Sequence, residues 1–434
     1  MNLKHAWRQH NRLRTCLLLL ALLISGNAAQ AAAPKASLAI SCGAVGMELR
    51  LCEEGAQAWA TKTGHSVRVV STPNSATERL ALFQQFLAGG APDIDVYQID
   101  VIWPGLLAKH FIDLRPYSKG AEKEHFAAII ENNTVDGKLV AMPFYVDVGL
   151  LFYRKDLLER YGRPPPATLD EMAATAAAIQ NAERAAGNER MWGYVFQGRA
   201  YEGLTCNALE WVAAYGGGSF VDEQGRITVD NPQAVQALTM ARGWVGSIAP
   251  EGVLNYAEEE VRGVFQAGQA VFMRNWPYAW ALLNGDDSPV RGKVGVLALP
   301  RGSADTPPRS ALGGWQLAVS RYSRHPELAA DLVMFMTSAE QQKRRAIEGA
   351  YNPTRPALYQ DADILHAQPF IGQLASSVAQ AVARPSRVTK GQYNRVSVAV
   401  ANNVHAALGG QSTPQEAIDK LAGELKRMSR RGWH

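Results

Sequence analysis

Ser66-Val67-Arg68-Val69-Val70 and Ile94-Asp95-Val96-Tyr97-Gln98-Ile99 are two apolar, strand-like runs. Between them, Ser75-Ala76-Thr77-Glu78 has the S-x-x-E pattern of a helix capping box. Leu80, Phe83 and Leu87 follow at helical spacing, and a pair of glycines ends the predicted helix. This strand–helix–strand order predicts a parallel or mixed sheet covered by helices, which is an α/β fold.

The same alternation continues along the chain on both sides of this segment. Strands are predicted near residues 38–40, 149–153, 191–196, 294–300 and 316–319, and helices near 47–62, 169–186 and from 414 onward. The chain has 434 residues, which is enough for two domains of ordinary size. No Gly/Ser-rich linker divides it, so we expect the chain to cross between two lobes several times. The cleft between such lobes is a natural ligand site.

The N-terminus has the three parts of a secretory signal peptide. A basic stretch ending at Arg14 precedes the apolar run 16–24, and Ala29-Gln30-Ala31 is an A-x-A cleavage pattern. The alternative is an uncleaved membrane anchor, but the run is about half the length that a membrane-spanning helix needs. Residues 1–31 are therefore predicted to be removed near Ala31 and the rest of the chain to be exported.

The net charge of +4 lies entirely in that leader. Residues 1–31 hold four basic residues and no acidic ones, which leaves 40 basic and 40 acidic residues in the remainder. A neutral protein of mixed charge lacks the positive surface of a nucleic-acid binder, so no nucleic-acid partner is predicted.

Three cysteines remain after the leader: Cys42, Cys52 and Cys206. An oxidising compartment permits a disulfide, and Cys42 and Cys52 are the pair closest in sequence. The alternative is three buried thiols that act as small apolar side chains. We expect the thiols, because a core of this size does not need a covalent cross-link.

The motifs of many enzyme classes are absent from the sequence. It has no phosphate-binding G-x-x-x-x-G-K-[ST] loop, no G-x-S-x-G nucleophile elbow, no H-E-x-x-H zinc motif and no C-x-x-C pair. We therefore predict no cofactor, no metal site and no catalytic residues.

Aromatic residues stand beside carboxylates and glycines in four places. They are Asn275-Trp276-Pro277-Tyr278-Ala279-Trp280, Gly313-Gly314-Trp315, Pro143-Phe144-Tyr145-Val146-Asp147, and Asp100 at the end of a predicted strand. This mixture suits a sugar, because its apolar C–H face stacks on an aromatic ring and its hydroxyls pair with carboxylates or an arginine. The same carboxylates could instead be the acid and base of a glycoside hydrolase. In the simplest alternative the rings belong to the core and the aspartates cap turns.

Together these stretches resemble the extracellular solute-binding proteins of ABC sugar importers, and most of all their trehalose/maltose-binding branch. The resemblance spans residues 38 to 428. Its most specific stretches are Tyr145 to Leu158, Gln197-Gly198-Arg199-Ala200-Tyr201-Glu202-Gly203-Leu204, Arg274 to Trp280, and Leu312-Gly313-Gly314-Trp315.

The resemblance implies a two-lobed periplasmic binding protein fold of type II, with a three-crossing hinge and a ligand cleft between the lobes. Lobe one would comprise residues 36–144 and 298–352, and lobe two residues 145–297 and 353–434. The implied function is to bind an α-linked disaccharide in the periplasm, with trehalose first and maltose or sucrose next, as a monomer. The loaded protein would deliver the sugar to a membrane permease. The alternatives are the secreted hydrolase and a binding protein for another oligosaccharide or a polyol.

The resemblance also implies a set of ligand-binding residues. Glu202 lies in a matching motif and is a possible member. Ser75 is also expected to act as the N-cap of a helix. Arg79 lies in the first turn of that helix, where the helix dipole disfavours a cation. The full implied set is Glu48, Ser75, Arg79, Asp100, Tyr145, Asp147, Trp276, Tyr278, Gly314, Trp315 and Arg384.

Overall fold

The computed structural model describes residues 35–433, so the predicted signal peptide lies outside the described residues. The strands are Ser37–Cys42 (β1), Ser66–Ser71 (β2), Val96–Asp100 (β3), Thr134–Val135 (β4), Lys138–Leu139 (β5), Met142–Val148 (β6), Leu150–Arg154 (β7), Trp192–Val195 (β8), Ala270–Asn275 (β9), Val294–Ala298 (β10) and Leu312–Val319 (β11).

The α-helices are Glu48–Thr63 (α1), Ala76–Ala88 (α2), Pro104–Leu107 (α3), Arg115–Ser118 (α4), Ala127–Asn132 (α5), Lys155–Arg160 (α6), Leu169–Ala185 (α7), Glu202–Ala214 (α8), Pro232–Trp244 (α9), Glu258–Gln266 (α10), Ala279–Leu283 (α11), Pro326–Met336 (α12), Ala339–Gly349 (α13), Ala362–Ala367 (α14), Ile371–Ala379 (α15), Ser386–Thr389 (α16), Tyr393–Leu408 (α17) and Pro414–Met428 (α18). None of these helices is both long and apolar enough to cross a membrane.

Two mixed sheets organise the described chain. Sheet one has the order β2-β1-β3-β11-β6, in which β1 is parallel to β2 and β3 while β11 is antiparallel to β3 and β6. Sheet two has the order β10-β7-β9-β8. The α/β class predicted from the strand–helix–strand pattern is therefore confirmed, with helices packed on both sheets.

Helix starts follow the local signals of the sequence, with a complete capping box at two helices and half of one at a third. Thr168 and Thr413 each form the complete reciprocal box with the glutamate three residues later. Ser75 forms only half of one, since its hydroxyl accepts from the Glu78 amide but Glu78 does not reach back. The Glu78 carboxylate pairs instead with Arg199, 2.9 Å away.

The chain passes from sheet one to sheet two at Gly149, which lies alone between β6 and β7. This change of sheet falls after the predicted lobe boundary at residue 144, because Val146 and Val148 still pair with β11. A Cβ atom on Gly149 would lie 2.1 Å from Oε1 of Glu210 and 2.7 Å from Nη2 of Arg274. The chain returns to sheet one between Ala298 and Leu312. The lobe boundaries themselves remain a prediction.

The expectation of three buried thiols is wrong for two of the cysteines. Cys42 at the end of β1 and Cys52 in α1 form a disulfide across a Cα–Cα distance of 6.5 Å. The short loop after β1 turns directly into α1 and brings the two positions into the range that a disulfide spans. Cys206 is a buried free thiol, as expected.

Replacing the disulfide with the Cys42→Ala/Cys52→Ala pair should lower the free energy of unfolding by about 2 to 3 kcal/mol, because the cross-link restricts the unfolded chain. Chemical denaturation of the exported form measures this, with Cys206→Ala as the control for losing a buried sulfur alone. If the denatured, unreduced protein shows two reactive thiols in addition to that of Cys206, the disulfide is contradicted.

Candidate functional site

A cavity lies where the ends of β3, β6 and β11 of sheet one face the segment that follows β9 of sheet two. Ten of the residues named from the sequence line it: Glu48, Asp100, Tyr145, Asp147, Glu202, Trp276, Tyr278, Gly314, Trp315 and Arg384.

Ser75 and Arg79 do not line this cavity. The Ser75 hydroxyl caps α2, and its two neighbours Asn74 and Ala76 form the wall instead. Arg79 is fully buried behind the ring of Trp315, with its guanidinium carbon 3.9 Å from the ring centroid. Its Nε donates to the carbonyl oxygen of Pro73 at 3.1 Å. The ligand contacts implied for these two residues remain predictions that the cavity does not support.

Glu48 is held by the protein on both carboxylate oxygens. The Tyr145 hydroxyl and the Gln98 side-chain amide donate to Oε1. The Val45 amide donates to Oε2 at 3.3 Å, and Nη2 of Arg79 lies 4.0 Å from the same oxygen. Burial, and then the negative charge of Glu48, raise the pKa of Tyr145 well above its usual value, so this hydroxyl stays a donor.

Arg384 joins two carboxylates of the cavity. Its Nη2 donates to Oδ1 of Asp100 at 2.9 Å and its Nη1 to Oε1 of Glu202 at 2.8 Å. Burial opposes the charge of Arg384, but Asp100 and its other acidic neighbours raise the pKa of the guanidinium well above its usual value. Tyr393 and Ser397 donate to the two oxygens of Glu202, each at 2.5 Å.

Asp147 differs from the other carboxyl groups of the cavity because it has a buried oxygen without a partner. Its Oδ1 is buried and has no hydrogen-bond partner among residues 35–433. Burial, and then the charges of Glu48 and Asp100, raise the pKa of Asp147 to about 8. A buried oxygen without a partner is costly, and a hydroxyl or amine of a ligand that reached Oδ1 would remove that cost.

The aromatic residues of the cavity come from both sheets. Trp315 on β11 packs edge-on against Trp103, with ring centroids 5.6 Å apart. Trp276 follows β9, and its Nε1 donates to Oε1 of Glu258 at 3.4 Å. The Tyr278 hydroxyl donates to Oε1 of Glu259 at 2.8 Å. Both tryptophans are half-buried, which leaves part of each ring for a ligand.

Gly314 is required by the backbone at this point of the wall. Its φ of +123° is a conformation that side-chain-bearing residues rarely adopt, and a Cβ there would lie 2.5 Å from the Tyr145 carbonyl oxygen. The register of β11 on β6 shifts immediately afterwards, between Trp315 and Gln316. The glycine therefore lets β11 bend while the next residue presents its ring to the cavity.

Several lining residues were not identified from the sequence. Among them, Glu258 and Tyr351 have polar side chains that a ligand could contact, and neither belongs to a sequence motif that indicates a binding site. Glu258 is an acid in the first turn of α10, where the helix dipole favours one in any case. The others are Val45, Asn74, Ala76, Tyr201, Gly203, Cys206 and Gly313.

The described residues contain no group of three or more His, Cys, Asp or Glu side chains arranged to hold a metal ion. The cavity carries five carboxyl groups, from Glu48, Asp100, Asp147, Glu202 and Glu258, and the guanidinium of Arg384. Burial raises the pKa of Glu202 and Glu258 as it does that of Asp147. Such a surface accepts hydrogen bonds from hydroxyl or amine donors and repels anions.

Comparison with known proteins supports one family. Residues 52–343 match the family described as bacterial extracellular solute-binding protein. A probable ABC transporter-binding protein of Deinococcus radiodurans is 51% identical over 408 residues, which cover 94% of this chain and 97% of the relative. These matches confirm the resemblance seen in the sequence motifs.

Solved structures agree on the fold. Maltose-bound MalE3 of T. maritima is 39% identical, with a TM-score of 0.85, and the match covers 91% of this chain and all of that one. An ABC transporter solute-binding protein from Agrobacterium vitis S4 with bound D-mannitol is 22% identical, with a TM-score of 0.77 and coverage of 91% and 99%. The two-lobed, maltose-binding-protein-like fold is therefore confirmed.

The raised pKa of Asp147 predicts a pH-dependent stability. The folded chain retains a proton on this carboxyl up to about pH 8, whereas the unfolded chain releases it near its ordinary pKa of 3.8. The free energy of unfolding of the ligand-free protein should therefore fall as pH rises through this window.

Chemical denaturation at a series of pH values, with Asp147→Asn beside the wild type, tests this expectation. Because asparagine cannot ionise, the variant should gain stability relative to the wild type as pH rises. A stability difference that stays constant from about pH 5 to about pH 9 would show that Asp147 ionises normally.

Proposed function

Because this chain belongs to the bacterial extracellular solute-binding protein family, we propose that it is the receptor of an ABC importer for an α-linked disaccharide. The family role is solute binding and not catalysis. Trehalose is the first candidate, and maltose or sucrose the next. The observation that carries the proposal is the cavity with Trp276 and Trp315 on its walls and carboxylates between them.

The chemistry of the cavity favours a neutral sugar over other solutes. A pyranose ring has an apolar C–H face that packs on an indole, and two such rings match the two half-buried tryptophans. Hydroxyl groups are donors, and the unpartnered Oδ1 of Asp147 is an acceptor without a donor. The maltose bound by the T. maritima relative supports this ligand class.

Ligand binding is proposed to close the two lobes. With the lobe boundaries given above, Arg384 of lobe two and Asp100 of lobe one meet across the cavity at 2.9 Å. The pair Arg199 and Glu78 spans the same two lobes at 2.9 Å. A ligand that touches both walls binds the closed state better and shifts the population toward it.

We also propose where the protein works and which proteins it binds. The protein is exported with its signal peptide cleaved near Ala31 and works in the periplasm as a monomer. The closed form then docks on the permease subunits of the importer in the membrane. The D-mannitol in the Agrobacterium vitis structure makes a polyol the main alternative ligand.

Isothermal titration of the exported form with trehalose, maltose, sucrose and mannitol tests the proposal. We expect one-to-one binding of a disaccharide that is recovered intact, and no binding of trehalose 6-phosphate, because the carboxylates repel its phosphate. Release of glucose would instead indicate the glycoside hydrolase. Binding of mannitol alone would move the substrate to the polyols.

Removing either tryptophan from the cavity should weaken binding of the disaccharide. Trp276→Ala and Trp315→Ala are each expected to cost about 1 to 3 kcal/mol of binding free energy, since the apolar face of a sugar loses its partner. Trp280→Ala is the matched control, because this ring belongs to the same motif but packs on Phe370 and does not line the cavity. Equal calorimetric affinities for the three variants and the wild type would contradict ring stacking.

A further inference from the structure

Trp276 is covered on one face by a buried arginine. The guanidinium carbon of Arg274 lies 3.8 Å from the centroid of the ring, within the range of a cation–π contact. Arg274 is 1% exposed and does not line the cavity, whereas Trp276 does. The arginine therefore contacts the cavity wall through the ring, while its charge also acts on Asp147, an effect that a lysine at position 274 would keep.

The guanidinium is itself fixed. Its Nε and Nη2 donate to the two oxygens of Glu210 at 2.9 and 2.5 Å, a bidentate pair, and Nη1 lies 3.4 Å from Oε1 of Gln197. Glu210 also accepts from the Ala311 amide at 3.1 Å. The plane of Arg274 cannot turn without breaking several of these bonds at once.

Trp315, the other tryptophan of the cavity, has the same arrangement. Arg79 stacks behind Trp315 at 3.9 Å, and the carboxylate near it is Glu48, 4.0 Å away. The two stacks rest on different sheets, since Trp315 is on β11 and Arg274 is on β9. Arg79 makes a looser pair, because its Nη1 and Nη2 have no hydrogen-bond partner among the described residues.

We propose that Arg274, held by Glu210, is a positioning residue that fixes the plane of Trp276 for stacking on the ligand. The inference deepens the proposed function and rests on it. A tryptophan that is already held in its binding orientation loses less side-chain freedom when the ligand arrives, so affinity is gained without a new contact. Lysine could keep the charge opposite Glu210, but it lacks the flat fork that covers the ring.

The test measures disaccharide affinity for Arg274→Lys in two backgrounds, the wild type and Trp276→Ala. In the wild type the substitution should weaken binding about 5- to 20-fold. In Trp276→Ala it should change the affinity less than about twofold, because the ring through which Arg274 acts is gone. Arg184→Lys is the control, since Arg184 stacks on Trp192 at 4.3 Å outside the cavity, and it should leave affinity unchanged.

The outcomes separate this inference from the proposed function. The same fold-loss in both backgrounds, or no loss in the wild type, would show that Arg274 has only a structural role. If Arg274→Lys does not fold, Gln197→Met replaces it, because it removes the partner of Nη1 while keeping the ion pair of Arg274 and Glu210, and it must show the same dependence on Trp276. A wild-type protein that binds no sugar would overturn the proposed function and this inference together.

Discussion

The ion pair of Glu210 and Arg274 is the contact on which the geometry of the site depends. It packs against the backbone where the chain leaves sheet one for sheet two, so closely that only glycine fits at position 149. On its other side it supports the ring of Trp276, which lies on the cavity wall. The same buried ion pair therefore constrains both the backbone at Gly149, where the chain changes sheets, and the position of the Trp276 ring. Breaking it would leave a buried charge without a partner, which is among the most costly changes a protein core can undergo.

The charged groups around the cavity lie at different depths in the protein. Carboxylates lie on its surface, while Arg79 and Arg274 stand behind the aromatic rings, and Arg384 closes the gap between Asp100 and Glu202. Arg79 and Arg274 offset part of the negative charge from behind the rings, outside the cavity lining, whereas Arg384 lines the cavity with its guanidinium already paired to Asp100 and Glu202. What remains for a ligand is a set of acceptors, with Asp147 the least satisfied of them. Such a site can recognise hydroxyl groups by direction, because protein donors hold the carboxyl groups of Glu48, Asp100 and Glu202 in place while Oδ1 of Asp147 has no donor.

Much of the fold could be predicted from the sequence, because its signals are local. The capping residues Thr168 and Thr413 begin helices as expected, and the apolar runs become strands with ends shifted by a few residues. Most of the predicted site residues line one cavity, but their placement behind or on the wall could not be foreseen. Arg79 lies behind Trp315 although the two residues are 236 positions apart in the sequence, and no rule of residue spacing predicts such a contact. The disulfide was missed for a similar reason, since it depends on how sharply the chain turns after β1.

A crystal structure of the protein with the disaccharide that it binds most tightly tests the sugar site directly. We expect one sugar molecule in the cavity, with its rings against Trp276 and Trp315 and with a hydroxyl on Oδ1 of Asp147. Arg79 and Arg274 should still cover the far faces of the two tryptophans. A sugar bound outside this cavity, or inside it but touching neither ring, would show that the two tryptophans do not form the binding site.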